Sequence, residues 1–354
     1  MDLIEINPEQ DPRWDQFVSH HQFGWITHLS SWKKVIEKSF RNVRGSYFAL
    51  VENQNIIAGL PIFIVKRWLL GNELISIPFG TISDPLVSDD HHAKLLLDHA
   101  SQFAKKQKIE HIQIRAFKAA QYLKNAGAPF EIDDSYKQHF LMLDKSLDEL
   151  KLSFNRRNVT KRIRQSGNSD LSLRHATTMT DIEQFYELYL TTRKRFGLPP
   201  QPLQFIINLW ERFTAQNQLD LILAELNDNI IGGLLFFKYK DRINAEIIAY
   251  EESYRDLHLS QFLYWHAIMI AKHENYQVFD FGRTSIFNEG LMNYKNRWGT
   301  QTHNLPIFHF SLTQNKRQSS RENLFVYNLA RSISKKLPAP LFRAYGNFFY
   351  HHLA

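Results

Sequence analysis

The sequence contains no cysteine, and that single absence removes two kinds of site. Disulfide bonds and thiolate metal ligands are both excluded. The GxGxxG, Walker, HExxH and GxSxG signatures are missing as well. None of the sixteen histidines has ligand spacing with a carboxylate, so no metal site is predicted. With no nucleophile motif either, the chemistry that remains open to an enzyme is direct transfer between two bound substrates.

The chain also lacks any apolar run long enough to span a membrane. Its longest apolar stretches, 56–65 and 230–237, have the length of buried strands. Residues 1–15 show no basic region followed by an apolar core, so no signal peptide is predicted and we expect a cytoplasmic protein. The net charge of +7 favours anionic partners, namely phosphates, nucleic acid or an anionic membrane surface, without choosing among them.

An internal repeat organises the 354 residues. The segment "NQNIIAGLPIFIVK" (53–66) is nearly copied by "NDNIIGGLLFFKYK" (227–240), and each predicts a polar hairpin turn followed by a buried strand. Downstream, "AKKQKIEHIQIR" (104–115) parallels "AKHENYQVFDFG" (271–282), each a helix end, a turn and an alternating strand. Two pairs in the same order indicate a duplicated domain, although chance similarity between apolar strands is the alternative.

Each half predicts an α/β domain with its own closing strand, at 138–143 in the first half and at 305–312 in the second. In the second half, a capping box at 180–183 is expected to open a helix that ends near Gly197. The order helix, helix, strands, helix, strand, strand is that of a GNAT-type acyltransferase domain. The predicted fold class is therefore α/β, a tandem duplication of two GNAT-like domains.

The domain boundaries are predicted from the changes in character along the chain. The first GNAT-like domain is expected at 1–145, and the second, which carries the site, at 146–314. A basic, aromatic-rich amphipathic tail is expected at 315–354.

The segment between the halves is basic. Ser146 and Glu149 predict a capping box that opens a helix. Beyond it, three basic residues share a predicted helical face: Arg157, Lys161 and Arg164. This face is either a solvated linker or a phosphate-binding surface.

The tail combines basic residues with a predicted apolar helical face formed by Phe325, Leu329 and Ile333. Such a segment can pack on the body of the protein or lie in the interface of an anionic membrane. The sequence leaves both interpretations open.

The stretch "FDFGRTSIFNEGLMNYKNRWG" (279–299) gathers acidic, basic and aromatic residues directly after a buried strand. It predicts an anion-holding site at the end of a sheet, with a surface loop followed by a helix as the alternative. The first half has no counterpart of "NYKNRWG", which predicts that the site lies in the second domain.

Taken in order, several segments resemble the FemAB-like family, whose tandem GNAT-like proteins include the FemABX peptidyltransferases of cell-wall assembly. The likeness spans nearly the whole chain and is greatest to the subgroup associated with exopolysaccharide and PEP-CTERM systems. The segments that carry it are "THLSSWKKVIEKSF", "LLGNELISIPFGTISDPLV", "FNRRNVTKRIRQSG", "FYELYLTTRKRFGLPPQP", "SQFLYWHAIMIAKHENYQVFDFGR", "YKNRWGTQ" and "KKLPAPLFRAYG".

The resemblance implies an acyltransferase that moves an acyl or aminoacyl group onto an amine or hydroxyl of a cell-envelope precursor. The acceptor would be a peptidoglycan precursor or an exopolysaccharide. The implied donor is acyl-CoA or aminoacyl-tRNA, with no tightly bound cofactor. The implied partners are these substrates, including tRNA. The composition of the tail adds an anionic membrane, contacted through 315–354 at the inner face of the cytoplasmic membrane, as an expected partner. DNA is not expected as a partner.

The family's Phe-Lys-x-x-Phe-Gly motif is matched here by Tyr294, Lys295, Trp298 and Gly299, which implies that Lys295 lies at the substrate and the acyl group. An arginine of the family that binds a nucleotide-linked substrate is matched by Arg193 or Arg195, and the sequence does not choose between them. The full set of expected substrate contacts is basic and aromatic: Arg157, Lys161, Arg193, Arg195, Tyr250, Arg283, Tyr294 and Trp298.

Acyl transfer needs a base for the acceptor and a positive charge for the developing oxyanion. We expect Lys295 first, and Arg283 second, to stabilise negative charge. Asp280 would orient one of these two cations or act as the base. The alternative bases lie on or just after a central strand: Glu246, Glu251 and Glu252. For each carboxylate, a structural ion pair with a nearby arginine is the competing interpretation.

The sequence departs from the family pattern at two places. The lysine expected shortly after the first-domain Trp has no counterpart, since Ile36 stands near that position. In the loop "RDLHLS" (255–260), His258 replaces a glycine of the loop with which CoA-using GNAT domains bind pyrophosphate, and its β-carbon should hinder backbone approach. A non-catalytic module that binds RNA or an anionic membrane is therefore kept as the alternative function.

Overall fold

The structure is a computed structural model that describes residues 1–68, 71–312, 331–332 and 334–352. The chain divides into two compact units, the first built mainly from Met1–Tyr136 and the second from Lys137–His303. Of the later described residues, 304–312 and 348–352 belong to the first unit and 334–347 to the second. The predicted apolar face of the tail, Phe325, Leu329 and Ile333, lies outside the described residues.

The strands follow the order in the chain: β1 (Asp2–Ile6), β2 (Val43–Glu52), β3 (Asn55–Val65), β4 (Glu73–Ile75), β5 (His111–Arg115), β6 (Glu131–Asp133), β7 (Tyr136–Met142), β8 (Ser172–His175), β9 (Leu219–Leu226), β10 (Asn229–Tyr239), β11 (Arg242–Tyr250), β12 (Val278–Ser285), β13 (Gln301–Asn304) and β14 (Ile307–Ser311). The helices are α1 (Arg13–His20), α2 (Ser30–Ser39), α3 (Asp90–Lys106), α4 (Ala120–Asn125), α5 (Leu147–Ser153), α6 (Lys161–Gly167), α7 (Met179–Phe196), α8 (Leu203–Thr214), α9 (Leu259–His273), α10 (Glu289–Asn296) and α11 (Ala339–His352).

Each unit contains a seven-stranded sheet, and the two sheets have matching orders. The first runs β1-β2-β3-β4-β5-β14-β6, and the second runs β8-β9-β10-β11-β12-β7-β13. In both sheets the fourth and fifth strands are parallel, β4 with β5 and β11 with β12. The predicted α/β fold with a tandem duplication is thereby confirmed.

The two predicted closing strands are exchanged between the sheets. The strand predicted at 138–143 was expected in the first half, but β7 lies beside β12 in the second sheet. The strand predicted at 305–312 was expected in the second half, but β14 pairs antiparallel with β5 and β6 in the first sheet. Both placements were wrong because we assumed pairing within each half, and pairing between strands is not fixed by their order in the chain.

The hairpin turns of the repeat have the same backbone conformation. Asn53 and Gln54 have φ of 48° and 67°, and Asn227 and Asp228 have φ of 50° and 62°. Two successive residues at positive φ make the type of tight turn that fits the twist of an antiparallel hairpin, and asparagine tolerates that conformation well. The repeated Asn in the sequence thus reflects a repeated turn.

The repeated glycine of the hairpins also has one role in both units. A β-carbon on Gly59 would lie 2.6 Å from the ring of Trp14 on α1, and one on Gly233 would lie 2.7 Å from the ring of Phe185 on α7. Both rings are buried. Each glycine therefore makes room for an aromatic side chain of the preceding helix to pack flat on the third strand of the sheet.

The helix boundaries were predicted well, with one shift. Ser146 and Glu149 form the expected capping box at α5. In α7 the capping box is made by Thr178 and Asp181 rather than by residues 180–183, because Thr178 is the residue with extended backbone. Gly197 ends α7 with φ of 69°, as expected.

The basic segment between the halves is not one regular helix. After α5, a π-helical turn at Arg156–Thr160 leads into α6. The expected phosphate-binding residues Arg157, Lys161 and Arg164 are all exposed. Among the described residues, no helix combines the length and the apolar character needed to cross a bilayer.

Candidate functional site

The site is organised by a separation between two parallel strands. β11 and β12 pair only from Arg242 with Val278 to Asn244 with Asp280, although both strands continue for several residues beyond. Past that point the backbone groups of the two strands are no longer joined to each other. A buried backbone carbonyl needs another partner, so the sequence must supply one at this position.

Lys295 supplies that partner. Its ammonium group donates to the carbonyl of Gly282 at 2.9 Å and to the carbonyl of Arg283 at 3.0 Å. Gly282 has φ of 75°, a conformation that glycine adopts without a side-chain penalty. The side chain of Lys295 is only 5% exposed, and this burial lowers its pKa to about 7. A lysine with this pKa exchanges its proton near neutral pH.

Asp280 lies at the last paired position of β12 and is 2% exposed. Its carboxylate accepts a hydrogen bond from the Gln138 side chain and another, of 2.8 Å, from the backbone of Gly282. Arg242 approaches to 3.6 Å. Burial raises the pKa of Asp280, while these partners and Lys295 act in the opposite direction. The carboxylate is thus held in place by several donors.

Glu246 is the second carboxylate of the site. It lies on β11 two residues beyond the last paired position and is partly exposed. Burial of the carboxylate, followed by repulsion from Asp280, raises its pKa to about 7, while Arg283 and Lys295 lower it. A partly exposed carboxylate with this pKa can take a proton from a bound substrate at neutral pH.

Three of the expected catalytic residues are therefore brought together: Glu246, Asp280 and Lys295. They come from β11, β12 and α10 and meet where the two strands part. Two groups with pKa values displaced to about 7 in one place are typical of sites that move protons. Arg283 adds a second cation, whose charge acts on Glu246 and Lys295.

The two aromatic residues of the motif, Tyr294 on α10 and Trp298 two residues after it, pack against the core. Trp298 is fully buried and packs against Phe154, Tyr264 and Phe281 at ring distances of 5.3–5.8 Å. Tyr294 is mostly buried, and this burial raises its pKa. Trp298 therefore holds α10 against the core rather than facing an open cleft, which corrects the expectation of a direct substrate contact.

The two candidate arginines at the end of α7 have different environments. Arg193 donates twice to the carbonyl of Pro199, at 2.7 and 3.0 Å, and so fixes the loop after the helix. Arg195 forms an ion pair with Glu252 and lies 5.0 Å from the ring of Tyr250. Tyr250 ends β11, so Arg195 is the one of the two that points toward the strand carrying Glu246.

In the loop before α9, the residue at the family's glycine position has the left-handed backbone conformation that glycine favours. His258 precedes the helix with φ of 55° and makes no side-chain cap. Burial lowers its pKa, and the positive charge of Arg162 on α6 adds to this effect. Arg162 is thus one basic residue whose charge acts at the start of this helix.

Three residues of the site were missed by sequence reasoning: Gln138, His139 and Arg242. Gln138 and His139 lie on the exchanged strand β7 and are fully buried. Burial and the charge of Lys295 lower the pKa of His139 to about 4, so this imidazole stays neutral at physiological pH. The available signal was a polar pair, Gln-His, inside an otherwise ordinary strand, but we placed that strand in the other sheet.

Within the described ranges, no group of three or more His, Asp or Glu side chains is arranged to hold a metal ion. The site is a cluster of one lysine, two arginines and two carboxylates, with Gln138 and His139 beside them. These side chains can move protons and stabilise negative charge.

Comparison with known proteins gives matches to GNAT-related proteins. Residues 153–296 match the model of the acetyltransferase (GNAT) domain family. A search of curated proteins gave no match. FemX is similar over 94% of this chain and 100% of its own, at 18% identity and a TM-score of 0.72.

Two further solved structures have lower scores. A tandem GNAT protein from the clavulanic acid biosynthesis pathway covers 89% of this chain and 99% of its own, at 10% identity and a TM-score of 0.57. L-PGS from Bacillus licheniformis covers 94% and 99%, at 10% identity and a TM-score of 0.56. The similarity to FemX is a similarity of fold over nearly the whole chain. The chain has the tandem GNAT fold, and its residues 153–296 form a GNAT-type acyltransferase domain.

Proposed function

We propose that the protein transfers an acyl or aminoacyl group directly from a donor to an amine or hydroxyl of a cell-envelope acceptor. The observation that carries the proposal is the separation of β11 and β12, which brings Lys295, Glu246 and Asp280 together. FemX, whose fold this chain shares, bears the name of the FemABX peptidyltransferases that the sequence resembles, and this favours a peptidoglycan precursor or an exopolysaccharide as acceptor.

In this mechanism Glu246 accepts the proton of the attacking amine or hydroxyl. The acceptor then attacks the acyl carbonyl carbon, and negative charge develops on the carbonyl oxygen. Lys295 and Arg283 stabilise that charge electrostatically. When the tetrahedral intermediate collapses, the bond between the acyl carbon and the donor oxygen or sulfur breaks. The released tRNA hydroxyl or CoA thiol takes up the proton held by Glu246. Asp280 acts through Lys295, because its buried negative charge favours the protonated amine.

The protonation states set the working pH. Glu246 accepts a proton only when it is ionised, above its pKa of about 7. Lys295 is positively charged only below its pKa of about 7. Both groups are in the required state in a narrow range around neutrality.

The donor is proposed to be acyl-CoA or aminoacyl-tRNA, bound as a substrate rather than as a resident cofactor. The uncapped N-terminus of α9, with Arg162 nearby, favours a donor that carries phosphate. The β-carbon of His258 hinders the close approach of a pyrophosphate to the backbone, and this favours the tRNA ester.

A donor screen tests the proposal. Purified protein is incubated with acetyl-CoA or with a mixture of charged tRNAs, together with a muropeptide precursor or exopolysaccharide fragments, and products are identified by mass spectrometry. We expect an acylated acceptor from one donor class and a loss of product with Glu246→Gln. Absence of transfer from every donor, or full activity of Glu246→Gln, would refute the proposed role of the site.

A second candidate function is a non-catalytic module that binds tRNA or anionic membrane through basic surfaces. The observation in its favour is the exposed basic segment with Arg157, Lys161 and Arg164. Binding to tRNA measured across a salt series distinguishes it, since electrostatic binding weakens steeply as salt rises. Replacing these three residues by Ala would abolish such binding and leave acyl transfer from a tRNA-independent donor unchanged.

A further inference from the structure

Trp68 is exceptional among the tryptophans of the chain. It is 74% exposed, whereas the other six tryptophans of the sequence are at most 9% exposed: Trp14, Trp25, Trp32, Trp210, Trp265 and Trp298. It follows directly after the buried strand β3, on a part of the first unit that no element of the catalytic site uses. Tryptophan is enriched at interfaces and at membrane surfaces, because its ring is apolar while its indole N–H can bond to water, so an exposed tryptophan is a candidate binding residue.

A second exposed aromatic residue, Phe348, is connected to Trp68 through His352. The backbone of Trp68 donates to the carbonyl of His352, at 3.2 Å. The imidazole of His352 in turn lies 4.8 Å from the ring of Phe348, which is 46% exposed. The end of α11 is held in place by Tyr350, whose ring contacts those of Phe40 and Phe79 at 6.3 and 5.7 Å.

The same region carries exposed positive charge. Lys66 precedes Trp68 by two residues, and Arg41 is close enough to lower the pKa of His351, after burial and His352. Both cations are exposed, and neither forms an ion pair in the part of the chain that the structure describes. The neighbouring Arg67 is different, since it is paired with the buried Glu73.

We propose that the Trp68 surface, formed by Trp68, Phe348, Arg41 and Lys66, docks the protein on an anionic lipid bilayer. Tryptophan and phenylalanine beside unpaired cations match the interface of such a bilayer, where the rings enter the headgroup region and the cations meet phosphate. A protein partner would bury the rings equally well but would not by itself account for two unpaired cations of one sign. The inference goes beyond the proposed transfer reaction and does not depend on it.

The fluorescence of Trp68 provides a direct test. Because the other tryptophans are buried, an aqueous quencher such as iodide should reach only the Trp68 fraction of the emission. Vesicles of phosphatidylcholine with about 30% phosphatidylglycerol should protect that fraction and shift it to shorter wavelength, and pure phosphatidylcholine should not. Trp68→Phe should remove the quenchable fraction and so assign the signal.

Vesicle sedimentation of the full chain tests the contribution of each residue. We expect Trp68→Ser to weaken binding about tenfold or more, on the scale of burying one aromatic ring. Phe348→Ser alone, and the double substitution of Arg41→Glu with Lys66→Glu, should each also weaken vesicle binding. The matched control is Phe287→Ser, which removes an 81% exposed ring from the second unit and should leave binding unchanged.

Several outcomes would overturn the inference. The first is that Trp68→Ser binds vesicles as well as the parent protein does. The second is that Phe287→Ser loses as much binding as Trp68→Ser. The third is that the protein shows no preference for anionic lipid. Protection of Trp68 without vesicles, accompanied by dimerisation in light scattering, would instead assign the surface to a second copy of the chain. Circular dichroism of each variant confirms that the change is local.

Discussion

In the first unit the parallel strands β4 and β5 stay joined beyond their last regular pair, Ile75 with Gln113, whereas β11 and β12 of the second unit separate after theirs. The joining group is Ser76, whose backbone donates to the carbonyl of Gln113 at 2.8 Å and whose hydroxyl accepts from the backbone of Arg115 at 3.0 Å. The guanidinium of Arg115 then bonds to the carbonyl of Gly80. The first unit therefore satisfies its backbone locally.

In the second unit Gly282 stands at the repeat position of Arg115, and Asp280 at that of Gln113. Gly282 leaves space and a free carbonyl, which Lys295 occupies from α10. In the first unit Ser76 thus joins the parallel strands beyond their last pair. In the second unit the strands separate, and the side chain of Lys295 bonds to the carbonyl that is left without a strand partner. The comparison indicates that the duplicated fold provides the place where the two parallel strands can separate. A few residue differences between the units determine whether that place holds titratable groups.

The N-terminus of the helix that follows the hairpin, α3 in the first unit and α9 in the second, also differs between the units. The N-terminus of α3 is capped by Asp89, whose carboxylate accepts from the backbone of His92 at 2.7 Å. A carboxylate there repels any phosphate group. The N-terminus of α9 has no side-chain cap, and the charges of Arg162 and Asp256 both act on His258 there.

The largest difference between the two units is expected when the cation is removed from each of them, Lys295 in the second unit and Arg115 in the first. We expect Lys295→Ala to lower kcat about 10²–10³-fold, the usual cost of losing a group that stabilises an oxyanion. Arg115→Ala should leave kcat unchanged and cost about 1–3 kcal/mol of folding free energy, because it leaves a carbonyl without its donor. Steady-state kinetics and denaturant unfolding measure the two effects; similar kcat losses in both variants would contradict the comparison.

The pH dependence of kcat/KM should also respond differently to equivalent substitutions in the two units. We expect kcat/KM to rise as Glu246 loses its proton near pH 7 and to fall as Lys295 loses its proton near the same pH, giving a narrow bell. The negative charge of Asp280 raises the pKa of both groups. Asp280→Asn should therefore move both limbs to lower pH. The control is Gln113→Ala at the equivalent place in the first unit, whose profile should match that of the parent, and a limb that moves to higher pH would exclude the assignment.

The two hairpin glycines should respond alike, because the duplication gives them the same role. Gly59→Ala and Gly233→Ala each place a methyl group against a buried ring, and we expect each to lower the free energy of unfolding by about 1–3 kcal/mol. Gly167→Ala, where a β-carbon meets no atom within 4 Å, is the control. Unfolding curves in denaturant would show if only one of the two hairpin sites is sensitive.

The smallest effect is expected at His258. Because its φ of 55° suits glycine, His258→Gly should change stability by no more than about 1 kcal/mol. If acyl-CoA is the donor, removal of the β-carbon should lower KM for acetyl-CoA severalfold. With a tRNA donor, KM for the charged tRNA should stay the same, so the ratio of the two KM values identifies the donor class.

Much of the fold could be predicted from local patterns. The Asn-containing turns, the alternating strands, the ends of α7 and the repeated helix-strand pair all depend on residues close together in the chain. Lys295 and Asp280 were proposed for the same reason, since a polar cluster directly after a buried strand is a local signal; the family motif also pointed to Lys295. Gln138 and His139 were missed because their strand belongs to a sheet that their sequence position does not reveal.

The sequence by itself determined the duplication, the α/β class, the hairpin turns and the segment that carries the charged residues, because turn conformation and hydrophobic period are set by neighbouring side chains. Only the tertiary structure decided the exchange of β7 and β14, the closure of β4 on β5, and the burial of Lys295 between β11 and β12. These depend on which strand edges meet and on the local dielectric there. A pKa of about 7 for a lysine arises from that burial, which no pattern of residues along the chain specifies.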